Sequence, residues 1–145
     1  MTVPRELVAM LEGAPVVGAR EQAFPFITVD AGGFPHPALL SRAELEVGPA
    51  GELHAALRSR RTRANLERSG LAALIAVEGR TAHYVKLRVA RSLAVHDLLA
   101  CVFEVVEHKP DSLGIPLAPV TYEVTAGIAR AERWDLTREA LRRLW

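Results

Sequence analysis

The sequence of 145 residues contains a single cysteine, Cys101. One cysteine excludes an intrachain disulfide and any metal site built from several cysteines. Cys101 lies in the apolar run LLACVFEVV, which favours a small buried hydrophobic residue over a reactive thiol. The five histidines show neither HxH nor HxxxH spacing. The sequence therefore predicts no metal site.

The sequence also has no large excess of positive or negative charge. The 18 basic and 17 acidic side chains nearly cancel and leave a formal net charge of +1. Such a balance gives the whole protein no electrostatic reason to bind nucleic acid or an anionic membrane. Neither partner is expected, and any basic site must be local.

Long apolar segments and common nucleotide-binding motifs are absent as well. The longest apolar run, residues 71–77, is far shorter than the ~20 residues that span a bilayer. The first residues include acidic side chains and no long apolar core, unlike a signal peptide. There is no GxGxxG, no Walker A loop and no nucleophile elbow. A cytoplasmic protein without serine-hydrolase chemistry is expected.

What the sequence does contain is enough apolar surface for one domain over residues 1–145, because half of its residues are hydrophobic. Short β-like segments follow one another, separated by glycine and proline turns. Strands are predicted at residues 24–29, 38–41, 44–47, 53–57, 71–77, 81–90 and 120–131. Pro35 and Pro37 indicate an edge strand or an irregular strand start. Hairpin turns between so many short strands favour an antiparallel barrel.

Three helices are predicted around these strands, at residues 4–12, 62–69 and 134–145. Gly70 stands where a left-handed cap would end the second helix. Residues 92–108 are ambiguous between a short helix near 94–98 and a strand over 100–107, and residues 110–119 are predicted to be a loop.

The most distinctive local feature is a group of four arginines within residues 58–63, where the second helix begins. A helix N-terminus offers unpaired N–H donors, and guanidinium groups add bidentate hydrogen bonds to phosphate. Ser59 or Thr62 can cap the helix or bind a phosphate oxygen. The alternative is a solvated basic turn neutralised by nearby acids. No aromatic residue is interleaved with the arginines, which argues against stacking on a nucleic acid.

The sequence leaves the roles of two further polar features undecided. His36, between two prolines, could donate to a ligand or hold its loop in place. Tyr84 and Lys86 share one polar face of a predicted strand; such a face usually meets solvent, but a dimer could turn it into the wall of a site.

Residues 28–37 (TVDAGGFPHP) resemble the first hairpin of the FMN-binding split β-barrel family, which includes pyridoxamine 5′-phosphate oxidase and flavin reductase-like proteins. Residues 59–66 (SRRTRANL) are similar to that family's S-x-[KT]-x-x-N-L segment. The strands at residues 71–77 and 84–87 also fall where the family places them, so the resemblance covers about half of the chain. It implies a mainly β fold: an antiparallel six- to seven-stranded split β-barrel of Greek-key type with short flanking helices.

The resemblance also implies a homodimer with FMN at the subunit interface. Thr62 falls at the family's phosphate contact, with Arg61 and Arg60 beside it. Leu39 and Leu40 would lie along the flavin ring through their backbone groups. The full set of cofactor-binding residues expected from the motifs is His36, Leu39, Leu40, Ser41, Ser59, Arg60, Arg61, Thr62, Asn65, Tyr84 and Lys86.

His36 and Ser41 stand where the oxidase carries an arginine and a lysine. These two replacements favour flavin binding in general over pyridoxamine phosphate oxidation. Because a flavin carries the redox chemistry itself, no catalytic side chain is predicted.

Three hypotheses for function follow. The first is an FMN-dependent oxidoreductase acting on a small molecule, with F420 or FAD as alternative cofactors. The second is a non-catalytic flavin, F420 or haem binding or sensor protein on the same fold. The third, a nucleic-acid accessory protein using the arginine cluster, is disfavoured by the near-zero net charge.

Overall fold

The computed structural model describes all 145 residues, and its main element is a curled antiparallel sheet. The chain contains nine strands: β1 (Arg20–Gln22), β2 (Phe24–Val29), β3 (Pro35–Leu40), β4 (Leu45–Val47), β5 (Leu53–Leu57), β6 (Leu71–Glu78), β7 (Thr81–Val95), β8 (Leu98–Ser112) and β9 (Thr121–Glu123). Seven strands form the main sheet in the order β3-β2-β6-β7-β8-β5-β4, and β1 pairs with β9 in a separate two-stranded sheet.

Short helices flank the sheet: α1 (Arg5–Leu11), α2 (Arg60–Ser69), α3 (Ala126–Ala131), α4 (Trp134–Arg142) and a single 3₁₀ turn (Arg42–Glu44) between β3 and β4. None of these helices has the length and apolar content needed to cross a membrane. The predicted mainly β fold, an antiparallel split barrel of six to seven strands with short flanking helices, is confirmed, and the main sheet has seven strands.

The concave face of the sheet encloses the main core. Alternate residues of β2 and β6 point inward, as the period of two along a strand requires. Phe26 and Phe103 meet edge to face, with ring centroids 5.8 Å apart. Leu7 and Leu11 of α1 are fully buried and belong to the same cluster.

Strand β5 and the first six residues of β8 (98–103) are buried on both faces. Ala55 and Cys101 belong to the main core, whereas their chain neighbours Ala56 and Ala100 pack with Leu141 of α4. A strand covered on both sides has no polar face, which is why these segments read as continuous apolar runs. Cys101 is confirmed as a buried residue, and burial raises the pKa of its thiol to about 12.

The open edges of the main sheet are β3 and β4, and within the sheet the pairing of β2 with β6 is short. These strands pair only at Phe26–Leu74 and Ile27–Ala73. Beyond this point the side chain of Gln22 takes over the hydrogen bonding of Val77. Its Nε2 donates to the Val77 carbonyl (2.9 Å), and its Oε1 accepts from the Val77 N–H (2.8 Å).

Most predicted elements are confirmed. The strands at residues 24–29 and 53–57 have the predicted bounds, and α2 ends at Gly70 in the left-handed conformation (φ 70°). Helix α2 begins two residues earlier than predicted, at Arg60.

Three predictions for the second half of the chain are wrong. The alternative of a helix near residues 94–98 fails, because β7 and β8 form one long hairpin that turns at His96 and Asp97. The predicted loop at residues 110–119 begins later, since β8 continues to Ser112. The predicted last strand at residues 120–131 is only β9 followed by α3. The hydroxyl of Thr125 caps α3 by accepting from the N–H of Ile128 (3.1 Å).

Candidate functional site

Two adjoining cavities lie where β3, the start of α2 and the C-terminal helices meet. The first cavity has a volume of about 160 Å³ and is lined by Ala38, Leu39, Leu40, Glu44, Ala56, Leu57, Arg58, Ser59, Thr62, Leu98, Glu132 and Thr137. The second cavity, of about 230 Å³, is lined by Ala23, Leu39, Leu40, Ser41, Glu44, Val120, Thr121, Tyr122, Ile128, Glu132 and Trp134. Both cavities share Leu39, Leu40, Glu44 and Glu132, so they are two parts of one site.

The start of α2 forms one wall of the first cavity. Ser59 is the N-cap, and its hydroxyl oxygen accepts from the N–H of Thr62 (3.4 Å). Thr62 is only 1% exposed, and its Oγ1 is buried without a hydrogen-bond partner. Leaving a buried hydroxyl unsatisfied costs about 1–3 kcal/mol. A ligand oxygen in the first cavity would remove that cost.

Arg58 brings a guanidinium group to the same wall. Its Nη1 donates to the backbone carbonyl of Glu132 (2.7 Å), which joins the end of β5 to the segment between α3 and α4. Its Nε lies 3.6 Å from a carboxylate oxygen of Asp97. Nε and Nη2 are both buried and make no hydrogen bond. Arg58 therefore has two donors left for an anionic group.

Glu44 stands between the two cavities at the end of the 3₁₀ turn. The hydroxyl of Ser41 donates to its Oε1 (3.2 Å). Burial raises the pKa of Glu44 to about 7, although the hydrogen bond from Ser41 and the charge of Arg58 act in the opposite direction. Near neutral pH this carboxyl therefore exists in both protonation states.

The 3₁₀ turn that carries Glu44 is fixed by Arg42. The guanidinium forms a bidentate pair with Glu21 of β1 (2.7 and 2.8 Å) and also donates to the backbone carbonyl of Glu12 (2.8 Å). Bidentate charged hydrogen bonds of this kind are strong and directional. The position of Glu44 in the site thus depends on contacts from the first part of the chain.

Tyr122 and Trp134 give the second cavity its hydrogen-bond donors. Trp134 is nine-tenths buried and its Nε1 has no hydrogen-bond partner, while the hydroxyl of Tyr122 is buried beside Ser41. Burial also raises the pKa of Tyr122, so its phenol stays protonated at neutral pH. Both side chains pack in the small cluster that joins β9, α3 and α4 to the 3₁₀ turn.

Five of the expected cofactor-binding residues line these cavities. Leu39 and Leu40 border both, Ser59 and Thr62 border the first, and Ser41 borders the second. They come from the end of β3 and the start of α2, the two segments that carry the family motifs.

Asn65 and His36 lie away from the cavity walls. Asn65 is buried, and its Nδ2 donates to Thr28 Oγ1 on β2 (2.9 Å) while its Oδ1 accepts from Arg68 (3.1 Å). This side chain fastens α2 to the sheet. His36 is half-buried on β3 and pairs with Thr28 in the strand register.

Arg60 and Arg61 are exposed on the first turn of α2. Arg60 lies with Arg63 and Glu67 along a separate surface cleft. Successive helical residues are about 100° apart, so these side chains diverge from Thr62, which faces the cavity. Arg58, just before the helix, is the arginine of the cluster that reaches the site.

Tyr84 and Lys86 project from the convex face of the sheet. Tyr84 donates to Asp111 (2.9 Å), and Lys86 pairs with Glu107 (2.9 Å). Neither lines the first or the second cavity. In the strand register Tyr84 lies beside Ile75 of β6, and Lys86 lies beside Ala73. Both are at the border of the apolar patch on the convex face of β3, β2 and β6.

Sequence reasoning missed Arg58, Glu44, Tyr122 and Trp134 as site residues. Arg58 was within the arginine cluster, and its place directly after an apolar strand and before the N-cap was the available signal. Glu44 and the two aromatic residues gave none, because only the folded chain brings residues 44, 122 and 134 together.

The fold is similar to that of several solved reductases. The styrene monooxygenase flavin reductase SMOB from Pseudomonas putida S12 shares 11% sequence identity with a TM-score of 0.53, over 72% of this chain and 87% of that chain. Flavoredoxin of Desulfovibrio vulgaris (Miyazaki F) shares 12% identity with a TM-score of 0.54, over 77% and 86% of the two chains. An F420 reductase shares 13% identity with a TM-score of 0.53, over 68% and 97%.

At these identities the likeness concerns the fold. The chain has the split-barrel architecture found in flavin reductases, as its motifs predicted. No protein-family model matches the sequence, and no curated protein matches it.

Proposed function

We propose that this protein is a flavin-binding oxidoreductase that holds the phosphate of FMN in the first cavity. The observation that carries the proposal is the group of buried polar atoms without partners at the start of α2: Thr62 Oγ1, Arg58 Nε and Arg58 Nη2. The fold shared with solved flavin and F420 reductases supports the same cofactor class.

The chemistry of these residues fits a phosphate group. Phosphate oxygens accept hydrogen bonds, and the site supplies a hydroxyl, two guanidinium N–H donors and the N-terminus of α2. A cavity of about 160 Å³ exceeds the ~30 Å³ that one water takes in the liquid several times over. It can hold a phosphate group but not the whole of FMN, so the ring must extend past Leu39 toward the convex face.

A bound flavin would supply hydride or electron transfer at its ring. The protein's own residues would bind and orient the flavin and exclude water from it. Arg58 and Thr62 anchor the phosphate, and Leu39 and Leu40 provide an apolar surface. Glu44 can hold or release a proton at neutral pH, and it lies at the junction of the two cavities.

The first test is the visible absorption spectrum of the purified protein, followed by calorimetric titration with FMN and riboflavin. We expect the protein to be yellow or to become so with FMN, and to bind FMN more tightly than riboflavin, which lacks the phosphate. Bound FMN should also raise the melting temperature.

Equal binding of FMN and riboflavin would contradict the phosphate site. A colourless protein that gives no thermal shift with FMN, FAD or F420 would contradict flavin binding altogether. Titration with F420 is included because an F420 reductase is among the similar folds. Tighter binding of F420 than of FMN would assign the deazaflavin instead. FMN binding without oxidation of NAD(P)H or reduction of an acceptor would favour a non-catalytic carrier or sensor.

We also propose that the protein is a homodimer with the cofactor at the interface. The convex face of β3, β2 and β6 is apolar and includes Ile27, Val29, Leu39, Leu71 and Ile75. Exposed apolar patches of this kind commonly mark interaction surfaces. Leu39 belongs both to this face and to the two cavities, so a second copy seated there would close the site. Tyr84 and Lys86 would then lie at the rim of the interface.

Ile75→Glu is expected to convert the dimer to a monomer and to weaken FMN binding, because it places an unpaired charge in the apolar face. Size-exclusion chromatography with light scattering gives the mass. Val16→Glu is the matched control, since Val16 is exposed in the loop before β1. A wild-type protein that is monomeric at high concentration, or an Ile75→Glu variant that stays dimeric, would contradict this interface.

A further inference from the structure

The second cavity contains recognition groups that the cofactor phosphate does not use. Its polar residues Glu44, Tyr122 and Trp134 come from three different segments of the chain, and its apolar walls are formed by Ala23, Leu39, Leu40, Val120 and Ile128. An apolar pocket with a few convergent polar groups is the usual form of a small-molecule site.

The second cavity has room for a group of about the size of a single ring. Its volume of about 230 Å³ is below the ~300–1,000 Å³ typical of pockets for drug-sized ligands. It corresponds to roughly eight waters at ~30 Å³ each. A dinucleotide or a peptide would extend well outside such a volume.

The charge of the lining selects against anions. No lysine or arginine lines the second cavity, whereas Glu44 and Glu132 do. A carboxylate or phosphate ligand placed there would lose its hydration without gaining a cation. The ligand is therefore not an anion, and an ammonium group, which can only donate, would leave the donors of Tyr122 and Trp134 unsatisfied.

The polar atoms specify what an uncharged ligand must carry. The indole N–H of Trp134 can only donate, and the phenol of Tyr122 is protonated and can donate as well. The indole N–H is buried without a partner and the phenol hydroxyl is buried beside Ser41, so a ligand carbonyl oxygen would satisfy the indole and could also accept from the phenol. Glu44 offers a carboxyl oxygen that can accept from a hydroxyl or N–H group of the ligand.

We propose that the second cavity binds a small, uncharged aromatic carbonyl compound. Its carbonyl oxygen accepts hydrogen bonds from Trp134 and Tyr122, and its ring packs against the apolar walls of the cavity. The binding follows from the cavity itself, whereas a position beside a flavin rests on the proposed function.

The test is isothermal calorimetry with two matched probes, 4-hydroxyacetophenone and 4-hydroxybenzoate, at a pH slightly below neutral. These compounds share a phenol ring, but only the second carries a negative charge on the group that replaces the ketone. We expect the ketone to bind and the carboxylate to bind at least tenfold more weakly. Trp134→Phe should lower the affinity for the ketone about fivefold by removing one hydrogen bond, and Tyr122→Phe should have a similar effect.

Trp145→Phe is the control. Trp145 is exposed, donates to Glu46 and lines neither cavity, so its loss should leave the affinity for the ketone unchanged. Circular dichroism checks that each variant is folded, and Tyr122→Phe serves as the test if Trp134→Phe does not fold. Tighter binding of 4-hydroxybenzoate, or unchanged ketone affinity in folded Trp134→Phe and Tyr122→Phe, would overturn the proposal.

Each titration is carried out with and without FMN, which separates the two proposals. Ketone binding that depends on Trp134 in a protein that does not bind FMN would support the pocket and contradict the flavin function. FMN binding in a protein that takes neither probe would overturn the pocket alone.

Discussion

Thr62→Val is expected to stabilise the ligand-free protein by about 1 kcal/mol and to weaken FMN binding about tenfold or more. Valine has nearly the shape of threonine but lacks the hydroxyl that is buried without a partner. The variant therefore removes an unsatisfied polar atom from the free protein and a hydrogen-bond donor from the phosphate site. Urea denaturation measures the first effect and calorimetry measures the second. Riboflavin affinity should not change.

Thr28→Val is the matched control for Thr62→Val. Both threonines are 1% exposed, but the hydroxyl of Thr28 accepts a hydrogen bond from Asn65 (2.9 Å). Its loss leaves the Asn65 amide unsatisfied, so Thr28→Val should destabilise the protein by about 1–2 kcal/mol. If Thr62→Val instead destabilises the protein and leaves FMN affinity unchanged, the hydroxyl of Thr62 has no role in binding.

Glu44→Gln is expected to reduce the pH dependence of stability between pH 4.5 and about 7. The folded protein holds a proton on Glu44 up to a pKa of about 7, whereas the unfolded chain releases it near the ordinary value of 4.5. Because the folded state binds more protons in this window, the free energy of unfolding falls as the pH rises through it.

Glutamine is neutral at every pH and keeps an oxygen that can accept from Ser41. The variant and the wild type should therefore be similar at about pH 5. The pKa difference would correspond at most to about 3 kcal/mol, and partial exposure of the side chain reduces this to about 1–2 kcal/mol. At about pH 8 the variant should be the more stable protein by that amount, as measured by urea denaturation.

Glu139→Gln is a control of opposite sign. Arg143 and His96 lower the pKa of Glu139 through their hydrogen bonds, so its charged form stabilises the folded state above pH 4.5. Its replacement should slightly destabilise the protein at about pH 8 and have less effect as the pH falls below 4.5. His83 titrates in both the wild type and Glu44→Gln, so its contribution cancels in their difference. An equal slope for these two proteins would contradict the raised pKa of Glu44.

The sequence predicted the fold best where local chemistry and tertiary packing agree. Residues 24–29 alternate between the core and the convex face, and Gly70 provides the positive φ that ends α2. Both signals are contained in a few neighbouring residues. The family motifs extended these local signals to a split barrel.

Predictions failed where distant segments decide the structure. Residues 120–131 are rich enough in valine and tyrosine to read as a strand, but only residues 120–124 find a backbone partner, in β1 and the residues beside it. The run from Leu98 to Phe103 has no polar face to reveal its period, because α4 covers the side that the main core does not. Strand β1 is far in sequence from residues 120–131, and helix α4 is far from residues 98–103.

The residues of the candidate site also fall into two groups: those that a local pattern predicted and those that only the folded chain brings together. Ser59 and Thr62 were predicted because the helix N-terminus and its hydroxyl groups are adjacent in sequence, and the structure places both in the first cavity. Glu44 and Trp134 are 90 residues apart, and no local pattern connects them. Their contribution depends on the pairing of β1 with β9 and on the packing of Trp134 against Ala43.

The two cavities draw their polar groups from separate parts of the chain. Arg58, Ser59 and Thr62 belong to the barrel, while Tyr122 and Trp134 belong to the segment after β8. Under the proposals made for the two cavities, substitutions at Tyr122 and Trp134 would change the choice of small ligand without altering Arg58, Ser59 or Thr62. A gene duplicate of this protein could therefore acquire a new substrate by altering one short segment, with its cofactor retained throughout.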